Sequence, residues 1–478
     1  MKKLIGRRDE AKILMDALVS SEAELISVIG RRRVGKTFLV RMAYEGKIDY
    51  ELLGIQKGTR NSQLKNFTDQ LEIFTKSELP LKKPADWQEA FKMLRNYLIS
   101  KLESKKEKLV IFLDEVPWLA GQKSGFLEAF GYFWNSWASQ QNIVVVICGS
   151  SASWMVRKVL RDKGGLHNRV TKRMRLQPFT LPETEEYLQH QGILLDRYHI
   201  LLIYMAIGGI PHYLKEIVGH RSAIQNINYI CFSEGGLLRD EFASLYPALF
   251  EHSDYHLAII RVLADRHYGM MRKEIVESLP YNDSGRITQV LEELMESGFV
   301  SESTAFDKKK KEKIFRLSDE YSLFYLRFVE KNKSEEEDVW NKLSQTQAFK
   351  TWSGYAFENI CLKHLPQIKN ALGISGMYSS ASSFVKIGKG EEKGMQVDLL
   401  IDRNDHVINL IEIKFYNTAI SLDKSDADAL REKLSVFQDR TGTKKMVNWV
   451  VLSTFGLKPN VHSQGIITKS IDMNALFG

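Results

Sequence analysis

Apolar residues fall along this chain in two rhythms. Short, almost unbroken runs occur at 24–29 (Glu24-Leu25-Ile26-Ser27-Val28-Ile29), Leu109–Leu113 and Ile143–Cys148, the length and texture of strands buried on both faces. Between them, Phe38–Ala43, Trp87–Leu102 and Phe126–Ala138 place apolar residues at helical spacing. Buried strands alternating with helices predict an α/β fold built on a parallel sheet. Residues 181–250 read as helix-rich, with Gly208-Gly209-Ile210-Pro211 as a natural break between helices.

The texture changes after residue 250. Helical periodicity runs over His256–Arg266, Arg272–Leu279 and Arg286–Ser297, the last with Ile287, Val290, Leu291 and Leu294 on one face. Two short strands, Phe299–Ser303 and Lys313–Leu317, then flank a basic tip at Lys308–Lys311. Three small helices and a β-hairpin make a winged-helix pattern. The tip suits phosphate contacts or a solvated turn. The charged run Lys331–Asp338 has no strong apolar period and is expected to lie in a linker. The segmentation expected is therefore 1–180 for the α/β core, 181–250 for a helical lid, 251–330 for the winged helix, 331–350 for the linker and 351–478 for a C-terminal α/β domain.

Length and charge add to this picture. A chain of 478 residues has room for about three domains. Its 44% hydrophobic and 26% charged content is that of a globular protein. The apolar runs are far too short to span a membrane, and Arg7, Arg8, Asp9 and Glu10 interrupt the apolar start. Cys148, Cys231 and Cys361 are odd in number and lack zinc spacing, so they read as reduced thiols of a cytoplasmic protein. Of the net charge of +8, most is local: residues 151–180 hold eight Lys or Arg (157, 158, 161, 163, 169, 172, 173, 175) against Asp162 alone. Nucleic acid, a nucleoside triphosphate, or a solvated helix face would each account for that stretch.

Between the first strand and its helix stands Gly30-Arg31-Arg32-Arg33-Val34-Gly35-Lys36-Thr37, which fits G-x-x-x-x-G-K-[ST]. Glycines at both ends let backbone N–H groups curl around phosphates, and the helix N-terminus adds partial positive charge. Lys36 would reach the β- and γ-phosphates, and the Thr37 hydroxyl would hold Mg²⁺. Asp114 closes the next buried strand, placed to share that metal, and Glu115 follows, placed to polarise the attacking water. These residues predict an ATP site with Mg²⁺.

The same residues resemble an AAA+ ATPase. Ile5-Gly6-Arg7-Arg8-Asp9-Glu10 is similar to the box that contacts adenine there, and Leu113-Asp114-Glu115 to the Walker B pair. The resemblance implies a γ-phosphate sensor at Ser150 or Ser151, and an arginine finger or sensor from Arg169 or Arg173, where a structural or DNA-contacting role fits equally. Gly209-Ile210-Pro211 is similar to the GxP element of the STAND branch, in which the winged helix serves as an internal clamp.

A second site is expected near the C-terminus. Gln396–Ile401 and Val407–Phe415 read as two strands around a turn at Asp402–His406. With the turn centred near Asn404, Asp398 would pair with Leu410 and neighbour Glu412 diagonally. Asp398, Glu412 and Lys414 would then share a face. Charges within apolar strands are costly unless paired or bound to a cation. Mg²⁺ between Asp398 and Glu412, with Lys414 beside it, meets that cost, and so does a plain carboxylate–lysine pair. Asp398 followed by Glu412-Ile413-Lys414 resembles the PD-(D/E)XK centre of restriction-endonuclease-like nucleases. That likeness implies a further metal-binding acid at Glu358 and, less directly, a polar contribution from Gln438.

Taken together the chain resembles the archaeal-type ATPases, in which a STAND-like AAA+ module and a winged helix precede a nuclease-like domain. The function implied is an ATP-hydrolysing switch coupled to a Mg²⁺-dependent nuclease acting on DNA, with a nucleotide-dependent homo-oligomer as a further expectation and no membrane association. The alternative is a STAND-type signalling or scaffold ATPase whose C-terminal domain is an inactive nucleic-acid- or protein-binding module.

Overall fold

The computed structural model describes residues 4–161, 164–250, 252–266, 268–281, 283–304, 306, 313–332, 338–386 and 395–478. The expected basic tip at Lys308–Lys311 lies outside them. The chain divides into two compact units. The first comprises residues 1–178, 248–251 and 292–298, and the second the remainder.

The first unit is a parallel sheet of β1 (Glu24–Ile29), β2 (Ile48–Leu53), β3 (Leu109–Asp114), β4 (Ile143–Gly149) and β5 (Lys172–Arg175), in the order β2-β3-β4-β1-β5. Its three central strands, β3, β4 and β1, are buried at every position, which is why they appear as apolar runs. Helices α1 (Arg8–Val19), α2 (Lys36–Ala43), α3 (Trp87–Ser104) and α4 (Phe126–Ser136) surround the sheet. The α3 and α4 side of the core is aromatic: Trp87 meets Phe126 edge-on at 4.8 Å, and Phe91 stacks on Phe133 at 5.2 Å. This is the α/β architecture typical of P-loop ATPases.

The second unit begins with α5 (Leu181–His190) and α6 (Arg197–Ile207). The turn after α6 is tight: a Cβ on Gly209 would lie 1.9 Å from the Phe179 carbonyl oxygen. Next come α7 (Ser253–Ala264), α8 (Arg272–Ser278) and α9 (Ser284–Glu296), with the last turn of α9 assigned to the first unit. A small antiparallel sheet in the order β6-β8-β7 joins Met270–Met271 (β6), Val300–Thr304 (β7) and Lys313–Leu317 (β8).

The stretch expected as a linker is packed from residue 338 onward. Trp340 is fully buried, stacked on Phe232 at 5.8 Å and edge-on to Phe324 at 4.8 Å. Trp340 lies just beyond the charged run, whose residues 333–337 are outside the described ones. Helix α10 (Gln347–Lys363) leads into a mixed sheet in the order β13-β12-β11-β10-β9. Its strands are β9 (Ser379–Lys386), β10 (Met395–Arg403), β11 (Val407–Lys414), β12 (Met446–Ser453) and β13 (Ile467–Asp472), and α11 (Lys424–Thr441) bridges the parallel pair β11 and β12. All three cysteines are free and buried. No helix among the described residues is long and apolar enough to cross a membrane.

Candidate nucleotide site and C-terminal carboxylate centre

The loop from β1 to α2 is shaped by its two glycines for different reasons. A Cβ on Gly30 would stand 2.5 Å from the Leu176 carbonyl oxygen, so only glycine lets the loop lie against the chain leaving β5. Gly35 has φ +93, a conformation that side chains resist. Arg33 is also left-handed at φ +71, and Val34 and Arg31 are buried, which fixes the loop from beneath, while Arg32 is half-buried. Lys36 is buried and its Nζ donates to the Gly30 and Arg31 carbonyls at 2.9 and 3.1 Å, a cation folded into the cradle. Burial pulls its pKa down, against the opposing charges of Glu115 and Asp114.

Across from the loop, the Thr37 hydroxyl donates to Asp114 Oδ2 at 2.6 Å. Burial raises the Asp114 pKa, and that hydrogen bond works against the rise. Glu115 adopts φ +50, unusual for a non-glycine residue and common at working sites. Its Oε2 accepts from both the N–H and the hydroxyl of Ser150, each at 2.9 Å. Of the two expected sensor residues, Ser150 thus meets Glu115. Ser151 donates instead to the Leu249 carbonyl at 3.3 Å. Arg7, at φ +55, donates to the Gln177 carbonyl. Loop, threonine and acidic pair form one constellation suited to a triphosphate and a hard cation.

The basic stretch acquires a specific partner. Arg157 pairs with the buried Glu293 at 2.9 Å, and Arg161 with Glu296 at 3.4 Å. Arg175 Nη2 donates to the Met295 carbonyl at 2.7 Å and to that of Glu296. These arginines hold the last turn of α9, where cations suit the helix carbonyls. Arg169 and Arg173 are exposed.

In the second unit, β10 and β11 pair Leu399 with Ile411 and Leu400 with Leu410. The hairpin is therefore centred on Asp405, and continuing its register brings Asp398 level with Glu412, not Leu410. The cause is a three-residue loop, Asn404-Asp405-His406, with His406 left-handed at φ +63. Since the shift is an even number of residues, the shared face survives.

Each acid on this face has its own surroundings. Glu412 pairs with Lys414 at 2.9 Å and with Lys433 of α11 at 3.0 Å. Burial raises its pKa, but the two lysines outweigh that and hold it below the usual carboxylate range. Glu358 of α10 is buried against Arg316 of β8 at 2.7 Å, and Arg316 Nε also donates to the Tyr268 carbonyl at 3.1 Å. Asp398 accepts the Ile413 N–H at 3.1 Å and the Gln396 amide at 3.5 Å. Burial, then the neighbouring Glu358 and Glu412, push Asp398 up to about 7.

Asp398, Glu412, Glu358 and Lys414 are thus in electrostatic contact. Among the described residues, however, no group of three or more Asp, Glu, His or Cys side chains is arranged to hold a metal ion. Glu358 is engaged by arginine. Gln438 is exposed on α11, and Lys433 of the same helix reaches the centre instead. Arg316 lies in Phe315-Arg316-Leu317-Ser318-Asp319, a stretch similar to the archaeal-type ATPases that gave no sign of a partner for Glu358, and Lys433 carried no local sequence signal.

Residues 4–217 match the family described as an ATPase domain predominantly from Archaea. An uncharacterised protein of Methanocaldococcus jannaschii is 25% identical over 418 residues, covering 86% of this chain and 87% of that one. Among solved structures, the Walker-type ATPase PABY2304 of Pyrococcus abyssi is 17% identical with a TM-score of 0.49, covering 68% of this chain and 96% of that one. The Aeropyrum pernix ORC2 protein, in complexes with ADPNP and ADP, is 14% identical with a TM-score of 0.42, covering 72% and 96%.

Proposed function

We propose that this protein is an ATP-operated switch: it binds ATP with Mg²⁺ in the β1–α2 loop, hydrolyses it, and so governs a C-terminal nuclease-like domain acting on DNA. The observation that carries the nucleotide half is the Thr37–Asp114 contact at 2.6 Å beside the buried Lys36. Residues 30–37 supply backbone donors to the phosphates, and Lys36 exchanges its two carbonyl partners for phosphate oxygens. Thr37 and Asp114 would hold Mg²⁺, which spreads the charge of the β- and γ-phosphates. Glu115 takes the proton of the attacking water, oriented by the two donors of Ser150. On the full chain, Lys36→Ala is expected to abolish ATP binding, while Glu115→Gln keeps binding and loses about 10²–10⁴ in turnover. Undiminished binding by Lys36→Ala would refute the assignment of this loop.

The C-terminal half of the proposal rests on the face shared by Asp398, Glu412 and Lys414. Two carboxylates completed by water suit Mg²⁺, which seldom uses an all-protein cage. A buried acid pushed up to about 7 is what an anion short of cationic neighbours becomes. Mg²⁺ held by Asp398 and Glu412 would supply a water of lowered pKa. Lys414 would orient the phosphodiester. Residues 1–180, 181–250, 251–330 and 351–478 would serve as ATPase core, lid, winged helix and nuclease-like domain of a cytoplasmic protein that assembles with itself when nucleotide binds.

One observation favours the alternative, a switch whose C-terminal domain only binds. Glu412 and Glu358 are already neutralised by Lys414, Lys433 and Arg316. Plasmid cleavage separates the two readings. Cutting that needs Mg²⁺ and vanishes in Glu412→Ala supports the nuclease; intact plasmid with Mg²⁺ or Mn²⁺, with and without ATP, assigns the binding module.

A further inference from the structure

The parallel half of the C-terminal sheet ends in an ordered aromatic edge. In open α/β sheets ligands gather at the carboxyl ends of the strands. Here β11 runs out through Lys414-Phe415-Tyr416, and β12 through Ser453-Thr454-Phe455. Lys414 and Ser453 are in register, the Thr454 N–H donates to the Lys414 carbonyl at 3.3 Å, and the Tyr416 N–H donates to Thr454 Oγ1 at 3.1 Å. The two strand tails are therefore fixed side by side.

Four rings lead outward from the core to this edge. Phe357, fully buried and adjacent to Glu358, lies 5.7 Å from Phe415. Phe415 stacks within 15° of Tyr198 at 6.1 Å, and Tyr198 lies 5.2 Å from Phe455. The series ends at Phe455, 39% exposed, and on the neighbouring strand tail Tyr416, next to Phe415 in the chain, is 51% exposed. A single exposed aromatic residue is ordinary. Here Phe455 is held by its packing on Tyr198 and Tyr416 by the bond from its N–H to the Thr454 hydroxyl, so both strand tails carry a ring whose ordering cost is already met on folding.

We infer that this edge is a stacking platform for unpaired nucleobases, so that the nucleic-acid ligand of the C-terminal domain is a single strand or a frayed end. The inference rests on the nucleic-acid reading proposed above and narrows it to a substrate class. Charge at the edge agrees with it. Lys414, beside Tyr416 and 44% exposed, and Lys433, 30% exposed, both pair with the single carboxylate of Glu412, which leaves one positive charge over for the phosphates between stacked bases, while Asp472, in register with Ser453, accepts the Asn474 N–H. The nearby Asp196 carboxylate is turned to His199 at 2.6 Å. Every base offers a π-face, whereas a duplex keeps those faces inside its own stack.

Fluorescence anisotropy on the full chain tests this, in EDTA to prevent cutting, with a labelled oligo-dT strand and a duplex of equal length. The strand is expected to bind more tightly than the duplex. The double variant Tyr416→Ala/Phe455→Ala should weaken strand binding about 10- to 100-fold and leave duplex binding unchanged. The ring-preserving Tyr416→Phe/Phe455→Trp should bind the strand as wild type does, and unchanged duplex binding by the alanine pair reads lost stacking apart from lost folding. Strand binding undiminished in the alanine pair overturns the platform, as does a duplex preference that depends equally on the rings. Binding of neither probe overturns the nucleic-acid reading itself, and is recognised by its presence already in wild type.

Discussion

Replacing Arg316 with methionine keeps most of the side-chain volume but removes the guanidinium that faces Glu358 at 2.7 Å, where the two side chains are only 5% and 10% exposed. Stranding one member of a buried pair costs about 3–5 kcal/mol. Protonation limits the loss. Burial already raises the Glu358 pKa against the pull of Arg316, so without the arginine it rises further. A carboxyl whose folded value lies above its unfolded one gives the native state the extra proton, and stability falls as pH climbs through that folded value. Arg316→Met should therefore cost most near pH ~8 and approach the price of one lost hydrogen bond, about 1–3 kcal/mol, near pH ~5. Arg316→Met/Glu358→Leu, which removes both charges, should recover most of the loss. Hydrogen exchange of α10 and β8 amides reads the local opening free energy without assuming that the whole chain unfolds in one step. A single variant within about 1 kcal/mol of wild type near pH ~8, or a double variant as damaged as the single, would refute the reasoning.

The nucleotide loop and the carboxylate face carry further expectations. Gly30→Ala forces a Cβ to 2.5 Å from the Leu176 carbonyl, so calorimetry should show ATP affinity down at least about tenfold with about 1–3 kcal/mol of lost stability; wild-type affinity would mean the loop does not take phosphate. Ser150→Ala removes one of the two donors on Glu115 Oε2, and single-turnover hydrolysis should slow about tenfold at unchanged ATP affinity; a shift in affinity alone would assign Ser150 to binding. Asp398, raised to about 7, stabilises the fold only while protonated, so about 4 kcal/mol should be lost between pH ~4 and ~7. Asp398→Asn should flatten that dependence and be the more stable protein in alkali by β10 hydrogen exchange; an equally steep variant would contradict it.

Legibility in the sequence followed burial. Strands β1, β3 and β4 are buried throughout and declare themselves as apolar runs, and the loop between β1 and α2 carries its chemistry in consecutive residues. The edge strands hide. In β5, Lys-Arg-Met-Arg, only Met174 is buried, so a strand passes for a cationic loop. Its neighbouring arginines meet Glu293 and Glu296, over a hundred residues away, at a distance no local pattern reaches. That Glu412 and Lys414 share a face follows from alternation alone, whereas the place of Asp398 opposite them depends on the register, which needed the left-handed His406. Arg316 and Lys433, which decide how the acids are neutralised, stand on other elements, β8 and α11, and meet Glu358 and Glu412 only through the tertiary fold.

The first unit is assembled from three stretches of chain, returning at 248–251 and again at 292–298. A fragment ending at 217, where the family match stops, would keep Arg157, Arg161 and Arg175 but discard the carboxylates and carbonyls they hold. Such a truncation should express as a sticky, polycationic remnant. The same interleaving constrains engineering: a chimaera that exchanged the chain after residue 217 would also have to deliver a matching helix end for those arginines.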